Sequence, residues 1–229
     1  MPKQGYRYSL DPFLLADFVQ FPPKTKRVVD MGTGEGIILF LLRTRNSAAH
    51  FLGLEKQGDL LRKAVERKKL VSCGLGISFV RADLRSCKRL FPVDFFDLVL
   101  SNPPYRKKGS GRVNPDPGKA MARHESELEL GDWLEQSSYL LRNLGRLSLI
   151  FHPGRLVELF RGMEENGIQP ERIRLVHGNP KADAKMALVE GVKNGKGSLK
   201  VERPLFVRDE NEEYSDEMKE IYGKFEVEL

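Results

Sequence analysis

The stretch Asp30-Met31-Gly32-Thr33-Gly34-Glu35-Gly36 decides how this chain is read. Residues 27–31 before it have the apolar character of a strand, and residues 36–45 after it have that of a helix, so the glycines lie at a strand-to-helix turn. Glycine is required where the chain turns sharply and where a bound group must lie against bare backbone. Moving outward, the alternation repeats. Residues 50–55, 77–83, 96–101 and 146–151 are strand candidates, and 59–70, 131–142 and 155–166 are helix candidates. In 59–70, Leu60, Leu61, Ala64 and Val65 share one face and Gly74 is placed to stop the helix, while Gly167 and Pro170 end the 155–166 helix. Strands alternating with helices predict an α/β fold, a doubly wound and mostly parallel seven-stranded sheet covered on both faces.

After residue 170 the pattern changes. Residues 172–177, 185–192 and 198–207 are three strand candidates with no helix between them, and Asn194-Gly195-Lys196-Gly197 has the composition of a hairpin turn. An antiparallel C-terminal edge of the sheet is therefore expected. Residues 209–229, acidic at first and then weakly amphipathic, predict a short surface helix or a frayed tail.

With 229 residues, the chain is long enough to bury a core unaided by disulfides or metal. The 21 glycines, 13 prolines and 40% apolar content exclude a disordered chain. The longest uninterrupted apolar stretch, Ile37 to Leu42, falls far short of the roughly 18 residues a membrane span needs, and the first residues carry no apolar signal core. A soluble, cytoplasmic protein without membrane attachment is the expectation. Cys73 and Cys87 fit neither a disulfide framework nor a zinc site, so they read as buried thiols and no metal is expected. The formal net charge of +6 is a weak pointer to nucleic acid.

Four groups of residues carry chemistry. The glycine turn reads Gly-x-Gly-x-Gly, one residue short of the dinucleotide fingerprint, and Asp30 and Glu35 would repel a pyrophosphate on the helix N-terminus. That disfavours a nicotinamide oxidoreductase and suits a ligand bearing a cationic amino group. Glu55, at the end of the second strand, can accept hydrogen bonds from both hydroxyls of a ribose. Asp83 closes the third strand before Leu84, where its plainer role is a helix N-cap. Asn102-Pro103-Pro104-Tyr105 ends the fourth strand. Its two prolines stiffen the chain and remove two N–H donors, so the Asn102 side-chain oxygen and the Pro103 carbonyl can grip both hydrogens of a planar amino group, while Tyr105 offers a ring face. Gripped in this way, the nitrogen regains its delocalised lone pair and can attack an in-line sulfonium methyl. Beyond it, Arg106, Lys107, Lys108 and Arg112, with Gly109 and Gly111 between them, read as a basic loop suited to phosphate, or more plainly as a solvated loop. His124 reads as structural, since an amine attacking a sulfonium can lose its proton after transfer.

These residues resemble those of the Rossmann-like, class I S-adenosylmethionine methyltransferases, in which an acidic residue precedes the glycines. Asn102-Pro103-Pro104-Tyr105 is similar to the motif of those that methylate exocyclic or amide nitrogen. More narrowly, Ser9-Leu10-Asp11-Pro12-Phe13-Leu14-Leu15-Ala16, Arg123-His124-Glu125, Ala187-Leu188-Val189-Glu190-Gly191 and Arg203-Pro204-Leu205 resemble stretches of the bacterial tRNA(Val) adenine-N6-methyltransferase family. The resemblance implies S-adenosylmethionine as cofactor, held by Asp30, Gly32, Gly34, Gly36, Glu55, Asp83, Leu84 and Asn102, with Asp83 accepting from the cofactor's adenine amino group. It implies that Asn102, Pro103, Pro104 and Tyr105 present the amine, that the basic loop meets tRNA, and that residues 9–16 pack over the methionine end of the cofactor. A single domain is expected over 1–229: a cofactor-covering segment (1–26), a core (27–208) and a tail (209–229). With eight residues before Ser9, no separate substrate domain is expected of the kind found in the release-factor glutamine methyltransferases, which share the Asn-Pro-Pro-Tyr motif. Guanine N2, DNA adenine and protein glutamine remain alternative acceptors, and a non-catalytic cofactor-binding adapter is the rival outside catalysis.

Overall fold

The computed structural model describes residues 9–71, 74–103 and 130–225. Pro104, Tyr105, Arg106, Lys107, Lys108, Arg112, His124 and Cys73 lie outside the described residues. Among the described residues nine strands form one sheet: β1 (Arg27–Met31), β2 (His50–Glu55), β3 (Ile77–Arg81), β4 (Phe96–Ser101), β5 (Leu141–Phe151), β6 (Ile168–His177), β7 (Ala184–Lys193), β8 (Lys200–Val201) and β9 (Leu205–Phe206). Their order is β3-β2-β1-β4-β5-β7-β6-β8, with β9 also beside β6. The helices are α1 (Asp11–Phe18), α2 (Ile37–Arg45), α3 (Gly58–Leu70), α4 (Cys87–Leu90), α5 (Leu130–Leu140), α6 (Leu156–Glu165) and α7 (Asp216–Lys224).

The α/β class and the mostly parallel sheet agree with the sequence pattern, with corrections at the C-terminal edge. β7 runs antiparallel to both β5 and β6, whereas β8 and β9 run parallel to β6. The sheet exceeds the seven strands expected: all eight strand candidates form, and the 198–207 candidate divides in two, making nine among the described residues. The Asn194–Gly197 turn does not form a hairpin; the chain leaves β7 and crosses to the far side of β6. The hairpin of this edge joins β6 to β7.

The strands are buried on both faces, which is why β1 and β4 read as continuous apolar runs. Successive residues point to opposite layers, Val28 and Leu98 toward α1, α2 and α7, Val29 and Val99 toward α5 and α6. Ile37 to Leu42 of α2 are all buried. α3 departs from its expected face, since only Ala64 is buried and Val65 is exposed. Cys87 is a buried free thiol at the start of α4.

α1 is wedged into the first layer by Phe13, Leu14, Leu15 and Ala16, all buried. Its C-terminal carbonyls are tied down by cations: the Arg45 guanidinium donates to Ala16 O and Asp17 O, and that of Arg172 donates to Phe18 O while lying 3.7 Å over the Phe18 ring. Glu190, 1% exposed, accepts from Arg146 and Arg172, so its charge is compensated inside the sheet. From the other end of the chain, α7 packs on α1 through Met218 and Ile221, Phe13 meets Tyr222 and Phe225 edge-on at 5.1 and 6.3 Å, and Lys224 pairs with Asp17 at 3.0 Å. Of the two expectations for residues 209–229, a short surface helix or a frayed tail, the helix forms over 216–224, and it is anchored on α1.

Candidate active site

The strand order reverses between β1 and β4, the place where open α/β sheets hold ligands beyond the carboxyl ends of their strands. Both chemical motifs leave the sheet there. Asp30 pairs with Leu100 across β1 and β4, and the buried Ser101 hydroxyl donates to Met31 O at 2.8 Å, fastening the two strand ends together. The glycine turn and Asn102 therefore start side by side. Ser101 was not singled out in the sequence, where it reads as an ordinary strand-end residue.

In the turn, Gly32, Gly34 and Gly36 have φ of +80°, +57° and +78°, values costly for any residue with a Cβ. The Gly32 and Thr33 N–H groups both donate to Leu54 O at 2.9 Å. A Cβ at Gly32 or Gly34 would meet nothing within 4 Å, so at these positions the backbone lies open. Gly36 differs: a Cβ there would come within 2.7 Å of the Phe79 ring, so this glycine serves the packing of α2 against the sheet.

Asp30 is fully buried, and among the described residues neither carboxylate oxygen has a hydrogen-bond partner. Burial pushes its carboxyl up to about 7; the nearby Thr33 hydroxyl opposes the shift without reaching hydrogen-bond geometry, and the negative charge of Glu55 adds to it. A buried carboxylate without a partner calls for a cationic or donating group. Glu55 accepts from Gly34 N–H at 2.9 Å and Gln57 N–H at 2.8 Å, contacts that brace the turn. A carboxylate has about four acceptor positions, so the same side chain retains capacity for ribose hydroxyls. Open glycine backbone, an unpartnered buried acid and a braced second acid fit a nucleoside carrying an amino group.

Other residues are placed differently from the sequence reading. Glu35 does not add its charge to the turn. It points to α3, and although burial pushes its carboxyl up, hydrogen bonds from Lys63 and Arg67 outweigh that and hold it below the usual range. Asp83 caps the short 3-10 turn Leu84–Ser86 by accepting from Arg85 N–H at 3.1 Å, and both its oxygens are engaged by the Arg85 guanidinium, with Lys56 at 3.3 Å. The Arg85 bonds hold its carboxyl well below the usual carboxylate range. The capping role read as the plainer alternative is therefore present. Leu84 is half-buried beside the second apolar layer.

Asn102 and Pro103 follow β4 directly and are half-buried. Asp11, the first residue of α1, belongs to the segment that the sequence reading assigned to covering the cofactor, and its carboxyl feels the Asn102 side chain. Burial raises the Asp11 carboxyl above its usual range, against hydrogen bonds from its own backbone N–H and from Asn102. Among the described residues no cluster of three or more His, Cys, Asp or Glu side chains could hold a metal ion, and no helix is long and apolar enough to cross a membrane.

Residues 23–161 match a family model described as a methyltransferase domain. Among characterised proteins, the chain is similar to "tRNA1(Val) (adenine(37)-N6)-methyltransferase" of Tolumonas auensis, 32% identical over 126 residues, 55% of this chain and 51% of that protein. That match spans about half the length of the relative. A protein of the same name from Flavobacterium johnsoniae is 26% identical over 228 residues, 97% of this chain and 94% of that one. A solved structure described as a predicted O-methyltransferase from Agrobacterium tumefaciens superimposes with a TM-score of 0.75 at 22% identity, covering 93% of this chain and 96% of the other, a likeness of fold.

Proposed function

Since the chain belongs to the methyltransferase-domain family, we propose that it transfers the methyl group of S-adenosylmethionine to N6 of an adenine in tRNA, acting as one domain. The observation that carries this reading is the pairing, at the switch point of the sheet, of an open glycine turn bearing an unpartnered buried acid with Asn102-Pro103 at the neighbouring strand end. S-adenosylmethionine supplies, when bound, an electrophilic methyl on a sulfonium.

The chain's own residues do the rest. Gly32 and Gly34 leave backbone bare for the nucleoside, Glu55 takes ribose hydroxyls on its remaining acceptor positions, and Asp30 meets the cationic amino group. Asp83, already fixed by Arg85, presents its edge to the cofactor's adenine. Asn102 Oδ1 and the Pro103 carbonyl accept the two hydrogens of the acceptor amine. The nitrogen lone pair is thereby withdrawn from the purine ring and directed at the methyl carbon. With the nitrogen so held by Asn102 and Pro103, bound S-adenosylmethionine would supply the methyl, the electron pair of the C–S bond staying on sulfur, and the nitrogen would release one proton to solvent. An adenine within a stacked loop must swing out to reach this place, and Tyr105 and the basic residues 106–108 and 112 would receive the base and its phosphates. The relatives' shared name makes adenine 37 of a valine tRNA the first substrate to test, and acting there puts the protein in the cytoplasm.

The test is nucleoside mass analysis of unmodified tRNA after incubation with the protein and S-adenosylmethionine. N6-methyladenosine is the expected product. Recovery of N2-methylguanosine, or methyl transfer to protein glutamine with none to RNA, overturns the assignment.

A further inference from the structure

We infer that His152 is a specificity-determining residue for the acceptor base, a fixed hydrogen-bond donor to a ring nitrogen beside the amine that Asn102 grips; this rests on the functional reading above and deepens it. β4 and β5 end alike. Each is followed by a residue and a proline, Asn102-Pro103 and His152-Pro153, and the residue before a proline is held extended; His152 has φ −80° and ψ 128°. The two strands run parallel, with Leu100 beside Ser148 and Ser101 beside Leu149. Leu100 and Ile150 both face the layer of α1, α2 and α7, so alternation carries the next residues of that face, Asn102 and His152, to the same side of the sheet's carboxyl end. Their Cα atoms then stand roughly 8 Å apart, from two residues of rise at ~3.3 Å each and a strand spacing of ~4.8 Å. That leaves room for the edge of a base between the two side chains, and His152 is exposed.

The ring of His152 is oriented. Its Nδ1 accepts from Gly154 N–H at 3.1 Å, capping the 3-10 turn Pro153–Arg155, and His152 O accepts from Arg155 N–H at 3.0 Å. The Arg155 guanidinium steadies this turn, pairing with Glu158 at 2.6 Å and lying 5.2 Å over the Phe151 ring. In a neutral imidazole one nitrogen accepts and the other donates. With Nδ1 accepting, the hydrogen is on Nε2. The strand ends therefore offer two acceptors, Asn102 Oδ1 and the Pro103 carbonyl, with one donor beside them. Adenine N6 has a ring acceptor on either side, N1 or N7, so adenine is the complement in either pose. Guanine N2 has the N1–H donor on one side and matches in one pose only. A histidine that merely capped the turn would leave Nε2 idle.

The full chain tests this in three ways. His152→Asn keeps the cap, since asparagine is a good acceptor there, and removes the donor at the reach of Nε2. It should leave the melting temperature unchanged and S-adenosylhomocysteine affinity within about twofold. On an RNA stem-loop with one target adenosine, kcat/KM should fall roughly 10- to 100-fold, the loss of one hydrogen bond to a desolvated ring nitrogen. In the wild type, 1-deazaadenosine or 7-deazaadenosine at the target should cost a similar factor for one of the two, a loss that His152→Asn should not show. Independently of turnover, 15N spectra of the His152 ring should place the hydrogen on Nε2, and that signal should shift when the stem-loop is added with S-adenosylhomocysteine. If His152→Asn melts lower, the spectra and the analogue losses of the wild type still decide. A hydrogen on Nδ1, an unmoved Nε2 signal, equal kcat/KM in His152→Asn and wild type, or analogue losses that persist in His152→Asn each overturn the inference. A wild type that makes no N6-methyladenosine defeats the functional reading before any variant is compared, and this inference falls with it.

Discussion

Asp30 carries a buried carboxylate that no described residue hydrogen-bonds, and two results follow from the direction of its shift. Its folded pKa of about 7 lies above the ordinary value of 3.8, so between those values the folded protein binds the proton that the unfolded chain releases, and stability contributed by this group falls as pH rises toward 7 and beyond. Asp30→Asn should therefore raise the melting temperature of the ligand-free protein at pH 8, by roughly 2–4 °C per kcal/mol relieved, as differential scanning calorimetry can check. Binding has the opposite sign. A cationic amino group needs the ionised form, so S-adenosylhomocysteine should bind up to roughly tenfold more weakly at pH 6 than at pH 8 and release a proton on binding near neutral pH, which calorimetry in two buffers of different ionisation enthalpy detects. Asn102→Ala should do the reverse, leaving cofactor affinity nearly intact and costing on the order of 100-fold or more in turnover, measured by single-turnover methyl transfer. That Asp30, the glycines and Asn102 stand at neighbouring strand ends was legible, because residue type and place along a strand are local facts. The turning away of Glu35 was not, since it depends on partners 28 and 32 residues away in the chain.

At the scale of elements, the glycines of one turn divide by what they do. Gly36→Ala would place a Cβ 2.7 Å from the Phe79 ring at φ +78°, where Gly32→Ala has the strained φ but open space. Each bears about 1–2 kcal/mol of backbone strain, and the Gly36 variant should be the less stable of the two in urea unfolding because Phe79 must also move. Glu190→Ala strips the shared acceptor from Arg146 and Arg172 and should cost about 3–5 kcal/mol, lowering the melting temperature by roughly 6 °C or more. β1, β2 and β4 were legible to the residue because they are fully paired, apolar runs. β5 was not: it begins at Leu141, and Leu144 at φ +59° with a register shift against β4 disguises its first half as the end of a helix. The path of the last strands was equally hidden, because a polar glycine turn specifies that the chain bends and says nothing about which strand it pairs with next.

For the whole molecule, the net charge of +6 becomes informative only through salt dependence. If Arg106, Lys107, Lys108 and Arg112 meet tRNA phosphates, changing all four to Gln should reduce the slope of log affinity against log salt by up to about 3 units, measured by filter binding, with a melting temperature that hardly moves. Unchanged affinity and slope would mark these residues as a solvated loop. The clasp of α7 on α1 reaches further than stability. Residues that cover Phe13 and hold Asp17 lie at 216–225, so on the ribosome the first helix waits for a segment made about 200 residues later. A nascent chain that has already built β1 to β4 still lacks the cover that Tyr222 and Phe225 give Phe13, and exposed apolar surface of that kind is what chaperones and proteases act on.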